Sequence, residues 1–90
     1  MTIEIEVFSA PACGKCGQAR ERLRAVARDF GEDRVRWREV DVLDDMDRAV
    51  ALGVLSTPAI AIDGELVFTG TPSEKALRKA VEARLKRTAP

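Results

Sequence analysis

The apolar residues of this 90-residue chain repeat with two different periods, and the order of these periods limits the folds open to it. Residues 2–9 (TIEIEVFS) alternate apolar and charged side chains before turning apolar, which predicts a strand. Across residues 14–30 the apolar residues recur every three or four positions, which predicts a helix that ends at Gly31. Residues 34–42 alternate again, and a short helix capped by Asp44 follows them.

The second half of the chain contains a predicted hairpin and a last helix. The stretches PAIAID and ELVFTG predict two short strands, and the Asp63-Gly64 pair between them favours a tight turn. Thr71 and Glu74 form a capping box, with Pro72 at the first helical position. The predicted order is therefore βαβαββα, an α/β fold. Its first two strands are parallel with a right-handed crossover, and three helices flank a four-stranded mixed sheet.

Composition and charge exclude several classes of function. Fifteen basic and fifteen acidic residues cancel, so no general field attracts nucleic acid or an anionic membrane. No apolar run approaches the roughly 20 residues that a membrane span needs. The N-terminal stretch lacks the basic start and apolar block of a secretory signal. We therefore expect a cytoplasmic monomer with one domain over residues 1–90, in which residues 86–90 are a frayed tail.

The only two cysteines, Cys13 and Cys16, stand three positions apart in the segment PACGKC, where the first strand meets the first helix. As a structural bridge they would close so short a loop that the gain is only roughly 2 kcal/mol. Structural zinc needs four Cys or His ligands, and a chain without histidine cannot supply them from one copy. Two copies together would supply four thiolates to zinc or to an iron–sulfur cluster. A dimeric metal protein therefore stays open beside a redox-active dithiol.

The redox interpretation accounts for more of this segment. The unpaired N–H groups and positive dipole end of the first helix favour a thiolate at Cys13, and Lys15 adds a nearby cation. Cys16 lies one turn later on the same helix face, within reach of a mixed disulfide formed at Cys13. Gly14 gives the backbone freedom to tighten this turn, and Pro11 stiffens the approach to it.

A second signal lies far along the chain, where Pro58 follows Thr57 directly before a predicted strand. Alone, such a proline is only a tolerated strand start. Combined with a CxxC pair after the first strand, it resembles the thioredoxin superfamily in its minimal, glutaredoxin-like size. The segment GVLSTPA (residues 53–59), the DGEL hairpin and Gly70 before the last helix fit the same resemblance, which covers essentially all 90 residues.

The resemblance implies a thioredoxin fold and a dithiol–disulfide oxidoreductase that reduces protein disulfides. Cys13 is the implied attacking thiolate and Cys16 the resolving thiol, with no metal or organic cofactor in the exchange. Pro58 is implied to be a cis proline beside the dithiol, and Thr57 to offer its backbone to an extended substrate segment. The other implied substrate-binding residues are Ala12, Gly14, Lys15 and Gly70. The implied partners are protein disulfides and a disulfide reductase that returns electrons.

The sequence also departs from the family pattern. Ala12 and Lys15 stand where larger thioredoxins carry the Trp and Pro of Trp-Cys-Gly-Pro-Cys. The family's buried carboxylate, six residues before the first cysteine, falls on Val7, and its lysine partner falls near Trp37. The usual proton acceptor for the second thiol is therefore missing. The run GTPS before the last helix lacks the paired glycines and acid typical of glutathione-binding members.

Two further hypotheses remain beside general disulfide reduction and the dimeric metal protein. A reductase dedicated to a single acceptor would carry the same dithiol. A binding module that retains only the fold would keep its partner when Cys13 is replaced.

Overall fold

The computed structural model describes residues 2–88, and within them the chain forms four strands and three helices. In chain order these are β1 (Ile3–Ser9), α1 (Cys16–Phe30), β2 (Val35–Asp41), α2 (Met46–Leu52), β3 (Ala59–Ile62), β4 (Glu65–Thr69) and α3 (Glu74–Thr88). The strands form one sheet in the order β2-β1-β3-β4. Strand β1 is parallel to β2 and antiparallel to β3, and β3 and β4 form an antiparallel hairpin. This confirms the predicted βαβαββα order and the mixed sheet.

Strand β1 is an inner strand of the sheet, and both of its faces are covered. Ile3, Ile5 and Val7 enter a core that α1 and α3 close, whereas Phe8 enters a smaller core under α2. Strands covered on both faces are apolar along most of their length rather than alternating. This explains why the alternation of residues 2–9 gives way to apolar residues.

The two cores differ in size and in the helices that close them. The larger core packs the apolar stripes of α1 and α3 against one sheet face; its helical members are Ala19, Leu23, Val26, Ala27, Leu77 and Val81. The smaller core has only five buried members: Phe8, Val40, Ala49, Ala59 and Ala61. Because α2 contributes a single buried residue, Ala49, it contacts the sheet through little apolar surface.

The helix starts differ from the predicted ones by one or two residues. Helix α2 is capped by Asp45, whose side chain accepts from the Arg48 N–H at 3.3 Å, so the prediction of Asp44 is wrong. Helix α3 begins at Glu74, and the Ser73 hydroxyl accepts from the Ala76 N–H at 3.1 Å. Ser73 therefore takes the capping role predicted for Thr71.

A hydrogen bond to the segment before α3, residues 70–73, accompanies the later start of this helix. The Pro72 carbonyl accepts a hydrogen bond at 2.8 Å from Arg22 on α1, which holds this segment outside the helix. Pro72 is therefore not the first helical residue, and the buried Thr71 hydroxyl makes no hydrogen bond to any described residue. At its other end α3 includes residues 86–88, which were expected to fray, and residues 89–90 lie outside the described residues.

The hairpin turn forms as its sequence predicts and is attached to the start of β1. Asp63 and Gly64 have φ values of 50° and 80°, the paired positive angles that a two-residue hairpin turn requires. The Asp63 carboxylate accepts from the Glu4 N–H at 2.9 Å, and the Asp63 N–H donates to the Glu4 carbonyl at 2.8 Å. These bonds fix the β3–β4 hairpin to the strand that leads to the cysteines.

Candidate active site

The structure contains a disulfide between Cys13 and Cys16, whose Cα atoms are 5.5 Å apart. Cys16 is the first residue of α1 and is only 5% exposed. Cys13 is partly exposed and lies in the turn before the helix. The helix α1 begins at Cys16, two residues later than predicted. The pair is therefore asymmetric: a molecule in solution reaches it through Cys13.

The turn that carries Cys13 has one unusual backbone residue. Its φ of 61° puts Ala12 in the left-handed region, which costs a residue with a Cβ roughly 1–2 kcal/mol. The Cys13 N–H donates to the Ala10 carbonyl at 3.3 Å and closes the turn. Gly14 does not have a positive φ, so its backbone conformation is one that other residues also adopt.

Lys15 is exposed and stands at the N-cap position of α1, where its side chain makes no capping hydrogen bond. Its carbonyl accepts from the Ala19 N–H at 3.1 Å, which starts the helical hydrogen bonding. Its ammonium makes no ion pair with any residue in the described range 2–88. Lys15 therefore adds positive charge to the face that surrounds Cys13.

The loop before β3 lies at the same edge of the sheet as the cysteine turn. Ala59 is paired with Phe8 in the β1–β3 register, so Pro58 stands beside the end of β1. The Thr57–Pro58 peptide bond is cis, the isomer that the resemblance implied. Pro58 is fully buried, and its carbonyl accepts from the Gly70 N–H at 2.7 Å. The register and this bond bring Thr57, Pro58 and Gly70 to the edge where the disulfide lies.

An apolar groove of about 270 Å³ adjoins this edge and was not predicted as part of the site. Ala10 and Thr57 line its end nearest the cysteine turn. The rest of its lining is Val42, Met46, Ala49, Val50, Val54, Leu55 and Ser56. Leu55 is 96% exposed and Val50 71% exposed. The available signal was an excess of apolar residues in a two-turn helix that buries only Ala49.

The structure also contains a buried carboxylate, Glu6, which the alternation along β1 does not distinguish from the exposed Glu4. Its side chain is 6% exposed, and both of its oxygens accept hydrogen bonds from arginines. Arg48 of α2 donates to them at 2.7 and 3.2 Å, and Arg38 of β2 donates at 2.7 Å. The bonds from Arg48 do most to lower the pKa of Glu6; burial opposes this shift, and Arg38 adds to it. Glu6 is therefore ionised at neutral pH.

Glu6 does not take the place of the family's buried carboxylate, which aligns with Val7. Val7 enters the core under α1 and α3, whereas Glu6 contacts α2 on the opposite face of the sheet. Three hydrogen bonds from arginines occupy most of the roughly four lone-pair sites of the Glu6 carboxylate and lower its pKa, so the group is a weak proton acceptor for a thiol. Its position indicates a structural clamp between β1, β2 and α2.

Among residues 2–88 no three Cys, Asp or Glu side chains cluster as the ligands of a metal ion do. No helix within this range is both long enough and apolar enough to cross a membrane.

Comparison with known proteins agrees with this geometry. Residues 1–82 match the family model of the thioredoxin domain. This chain belongs to the thioredoxin family. A redox-active cysteine pair with the family's CxxC spacing occupies Cys13 and Cys16, and the protein is accordingly a thiol–disulfide oxidoreductase.

The relatives of this thioredoxin-family chain include archaeal proteins of similar length. A probable thioredoxin of Methanothermobacter thermautotrophicus is 36% identical over 81 residues, which cover 90% of this chain and 94% of that protein. A thioredoxin of Methanocaldococcus jannaschii is 31% identical over 83 residues, covering 92% and 96%. The oxidised form of mitochondrial thioredoxin 3 from Saccharomyces cerevisiae superposes with a TM-score of 0.75 at 25% identity, covering 90% and 77%. These similarities establish the thioredoxin fold over most of the chain.

Proposed function

We propose that this thioredoxin-family protein reduces disulfides in protein substrates, with Cys13 as the nucleophile and Cys16 as the resolving thiol. The observation that carries the proposal is the unequal exposure of the two sulfurs at the edge where the Thr57 loop lies. A substrate disulfide can approach Cys13, whereas Cys16 is 5% exposed and its Cα atom lies 5.5 Å from that of Cys13. An attacking thiol must be accessible to the substrate disulfide, as Cys13 is. A resolving thiol must lie close to the attacking one, as Cys16 does.

The reaction balances in two exchanges. The Cys13 thiolate attacks one substrate sulfur, a mixed disulfide forms, and the other substrate sulfur leaves as a thiolate. The Cys16 thiolate then attacks the Cys13 sulfur, the substrate leaves as a dithiol after taking up protons, and the Cys13–Cys16 disulfide forms. The substrate gains two electrons and the enzyme loses two. A disulfide reductase returns two electrons and two protons to regenerate the dithiol.

The surface beside the dithiol suits an extended polypeptide. We assign Thr57 the role of pairing its backbone with a substrate strand, beside Pro58. Ala12, Gly14, Lys15 and Gly70 complete the docking surface around Cys13. The apolar groove that begins at Ala10 and Thr57 would take a side chain of the substrate a few residues from its cysteine. A polypeptide can contact the surface around Cys13 and the apolar groove at the same time, whereas a small disulfide can contact only the surface around Cys13.

The proposal includes the setting in which the protein works. We propose a cytoplasmic monomer of glutaredoxin-like size that receives electrons from a protein reductase rather than from glutathione. The GTPS run supports this choice of donor, because it lacks the paired glycines and acid typical of glutathione-binding members.

Insulin reduction by dithiothreitol, followed as turbidity, tests the proposal. We expect the protein to accelerate reduction. The Cys13→Ser variant is expected to abolish the acceleration, and the Cys16→Ser variant is expected to accumulate a mixed disulfide visible by intact mass. Ala83→Ser serves as the control, since it introduces the same side chain at an exposed position on α3, outside the proposed docking surface.

Two results would contradict the proposal. One is an insulin rate that the protein does not increase although its dithiol is fully reduced. The other is a Cys16→Ser variant that turns over without forming an adduct. Fast reduction of one natural acceptor with no effect on insulin would instead favour the dedicated reductase.

A further inference from the structure

The apolar groove beside the dithiol carries most of the exposed apolar side chains of the described chain. Among residues 2–88, five large apolar side chains are more than a third exposed. Three of the five line this groove: Met46, Val50 and Leu55. Exposed apolar side chains that lie together mark surfaces that bind another molecule. Because Thr57 also lines the groove, it is continuous with the proposed docking surface around Cys13.

The same segment of the chain carries unpaired negative charge. Four aspartates, here called the acidic region, lie within two residues of the groove-lining Val42 or Met46; they are Asp41, Asp44, Asp45 and Asp47. None of the four makes an ion pair with any residue in the range 2–88. The carboxylates of Asp41 and Asp45 accept hydrogen bonds from backbone N–H groups, which carry no net charge. All four charges therefore act on their surroundings.

Nearby cations offset only part of this charge. Arg48 is the only basic residue between positions 39 and 74, and its guanidinium donates to Glu6 at 2.7 and 3.2 Å. Arg38 donates to the same carboxylate. The four aspartates and Glu6, set against these two arginines, leave an excess of three negative charges. Lys15, the exposed cation of the cysteine turn, does not line the groove.

The acidic region acts on a bound segment whichever way its side chains turn. A residue within two positions of a lining residue is at most about 8 Å from it between Cα atoms. This distance is close to the Debye length of about 8 Å at physiological ionic strength, so the charges are only partly screened. A cation on a segment in the groove is attracted, and an anion is repelled.

We propose that the groove selects substrate segments that carry both an apolar side chain and lysine or arginine close to the reacting cysteine. This inference rests on the proposed reduction of protein disulfides and names the class of substrate. The apolar side chain covers Val50 and Leu55, and the basic side chains lie near Asp44 and Asp47, which are exposed. An acidic segment meets the same apolar surface against an electrostatic cost.

Charge also separates this occupant from the alternatives. A second copy of the chain, related by a twofold axis, would set the acidic region against itself, a contact that like charges oppose. An anionic lipid surface is repelled for the same reason. A small apolar molecule would cover the groove and make no use of the charges beside it.

Reduction of two matched peptides by dithiothreitol tests the inference. Each peptide contains one disulfide and a leucine a few residues from a cysteine, and two lysines flank the leucine in one peptide and two glutamates in the other. At an ionic strength of about 0.01 M we expect kcat/KM, corrected for the uncatalysed rate, to be about tenfold higher for the lysine peptide. The preference should shrink at about 1 M, where the Debye length is about 3 Å.

A double variant isolates the part of this preference that the groove supplies, because lysines speed thiolate attack on any disulfide. Asp44→Asn combined with Asp47→Asn removes two charges and leaves the hydrogen bonds of Asp41 and Asp45 in place. We expect it to lower the preference for the lysine peptide about threefold at low salt. Reduction of hydroxyethyl disulfide, which is small and uncharged, should not change.

The matched control combines Glu32→Gln with Asp33→Asn. It removes two exposed carboxylates from the connection between α1 and β2. The pairing of Ile3 with Val35 puts this connection at the start of β1, roughly 20 Å along the strand from the end where the cysteine turn begins. We expect the control to keep the wild-type preference at every ionic strength.

Three results would overturn the inference and leave disulfide reduction standing. One is an equal loss of preference in the two double variants, and another is a wild-type preference that salt does not change. The third is a dimer that forms more readily in the Asp44→Asn/Asp47→Asn variant, since the occupant of the groove is then a second copy. A protein that reduces neither peptide and does not accelerate insulin reduction would overturn the proposed function, and this inference with it.

Discussion

Replacement of the buried Glu6 by glutamine should destabilise the protein in a pH-dependent way. Glutamine keeps the shape of the side chain but loses the charge to which Arg48 and Arg38 donate. It also turns an amide N–H₂ group toward a guanidinium, where no acceptor is available. The loss is therefore electrostatic and involves little change in packing.

The size of the effect follows from the exposure of the three side chains. Breaking a fully buried ion pair costs about 3–5 kcal/mol, because the remaining charge stays unpaired away from water. Here Glu6 is 6% exposed, but Arg38 and Arg48 are 63% and 40% exposed and regain water when the carboxylate is removed. We therefore expect Glu6→Gln to lower the free energy of unfolding by about 2 kcal/mol at pH 7. For a domain of this size, that is a fall in Tm of roughly 8–16 °C.

The pH dependence has a definite sign. Hydrogen bonds from Arg48, aided by Arg38, hold the pKa of folded Glu6 below its ordinary value of 4.5. A lowered pKa in the folded state stabilises the protein above the unfolded pKa, and this contribution disappears as pH falls through the folded pKa. The difference between wild type and Glu6→Gln should thus be constant from pH 7 to about pH 5 and shrink toward pH 3.

Urea unfolding of the oxidised protein at several pH values measures this difference, since the disulfide is then the same in every sample. Glu4→Gln is the matched control: it makes the same chemical change two residues away on the same strand, at an exposed side chain. It should leave stability nearly unchanged at every pH. A Glu6→Gln loss that stays the same at pH 3 and pH 7, or that equals the Glu4→Gln loss, would refute the reasoning.

Two further predictions concern the site. Gly70 has a φ of 104°, so Gly70→Ala should lower stability by roughly 1–3 kcal/mol. Gly14→Ala, where φ is not positive, should be neutral or slightly stabilising; equal Tm values for the two variants would contradict this. Leu55→Asp should lower kcat/KM for insulin about tenfold, because it removes the free energy gained when a substrate buries about half of the leucine side chain. It should not slow the reduction of a small disulfide, which does not reach the groove. Leu43→Asp changes an exposed leucine that does not line the groove and should act within twofold of wild type; an equal loss there would exclude a specific role for Leu55.

The order of elements was predictable because its signals are local. A change from a period of two to a period of three or four depends on neighbouring residues only. Gly31 and Gly53 end α1 and α2 as expected, and each has a positive φ that glycine adopts without a Cβ penalty. Asp63-Gly64 specifies its hairpin turn for the same reason.

Glu6 was not predictable because its burial is a property of three elements together. Alternation along β1 assigns Glu4 and Glu6 to the same face, and nothing local distinguishes them. The parallel register sets Glu6 opposite Arg38, and α2 then brings Arg48 across the same face. Only the packed arrangement makes one glutamate buried and leaves the other exposed.

The apolar groove escaped prediction for a related reason. Helix α2 covers a sheet face whose core contains small side chains, including Ala59 and Ala61, and it packs there through the buried Ala49 and the half-buried Leu52. Val50 is therefore exposed along the groove. The left-handed backbone conformation of Ala12 was also not predictable, because alanine has no sequence preference for a positive φ.

Strand β1 connects the clamp and the dithiol. It holds Glu6 under α2, and three residues later it ends at Ser9, where the cysteine turn begins. Its register with β3 puts Pro58 at that same end. Since α2 has only one buried residue, its attachment to the sheet depends strongly on Arg48 and Glu6. The groove residues on α2 are therefore positioned relative to Cys13 by an ion pair made from the strand that leads to Cys13, and this is the structural role of a charge at an otherwise apolar inner position.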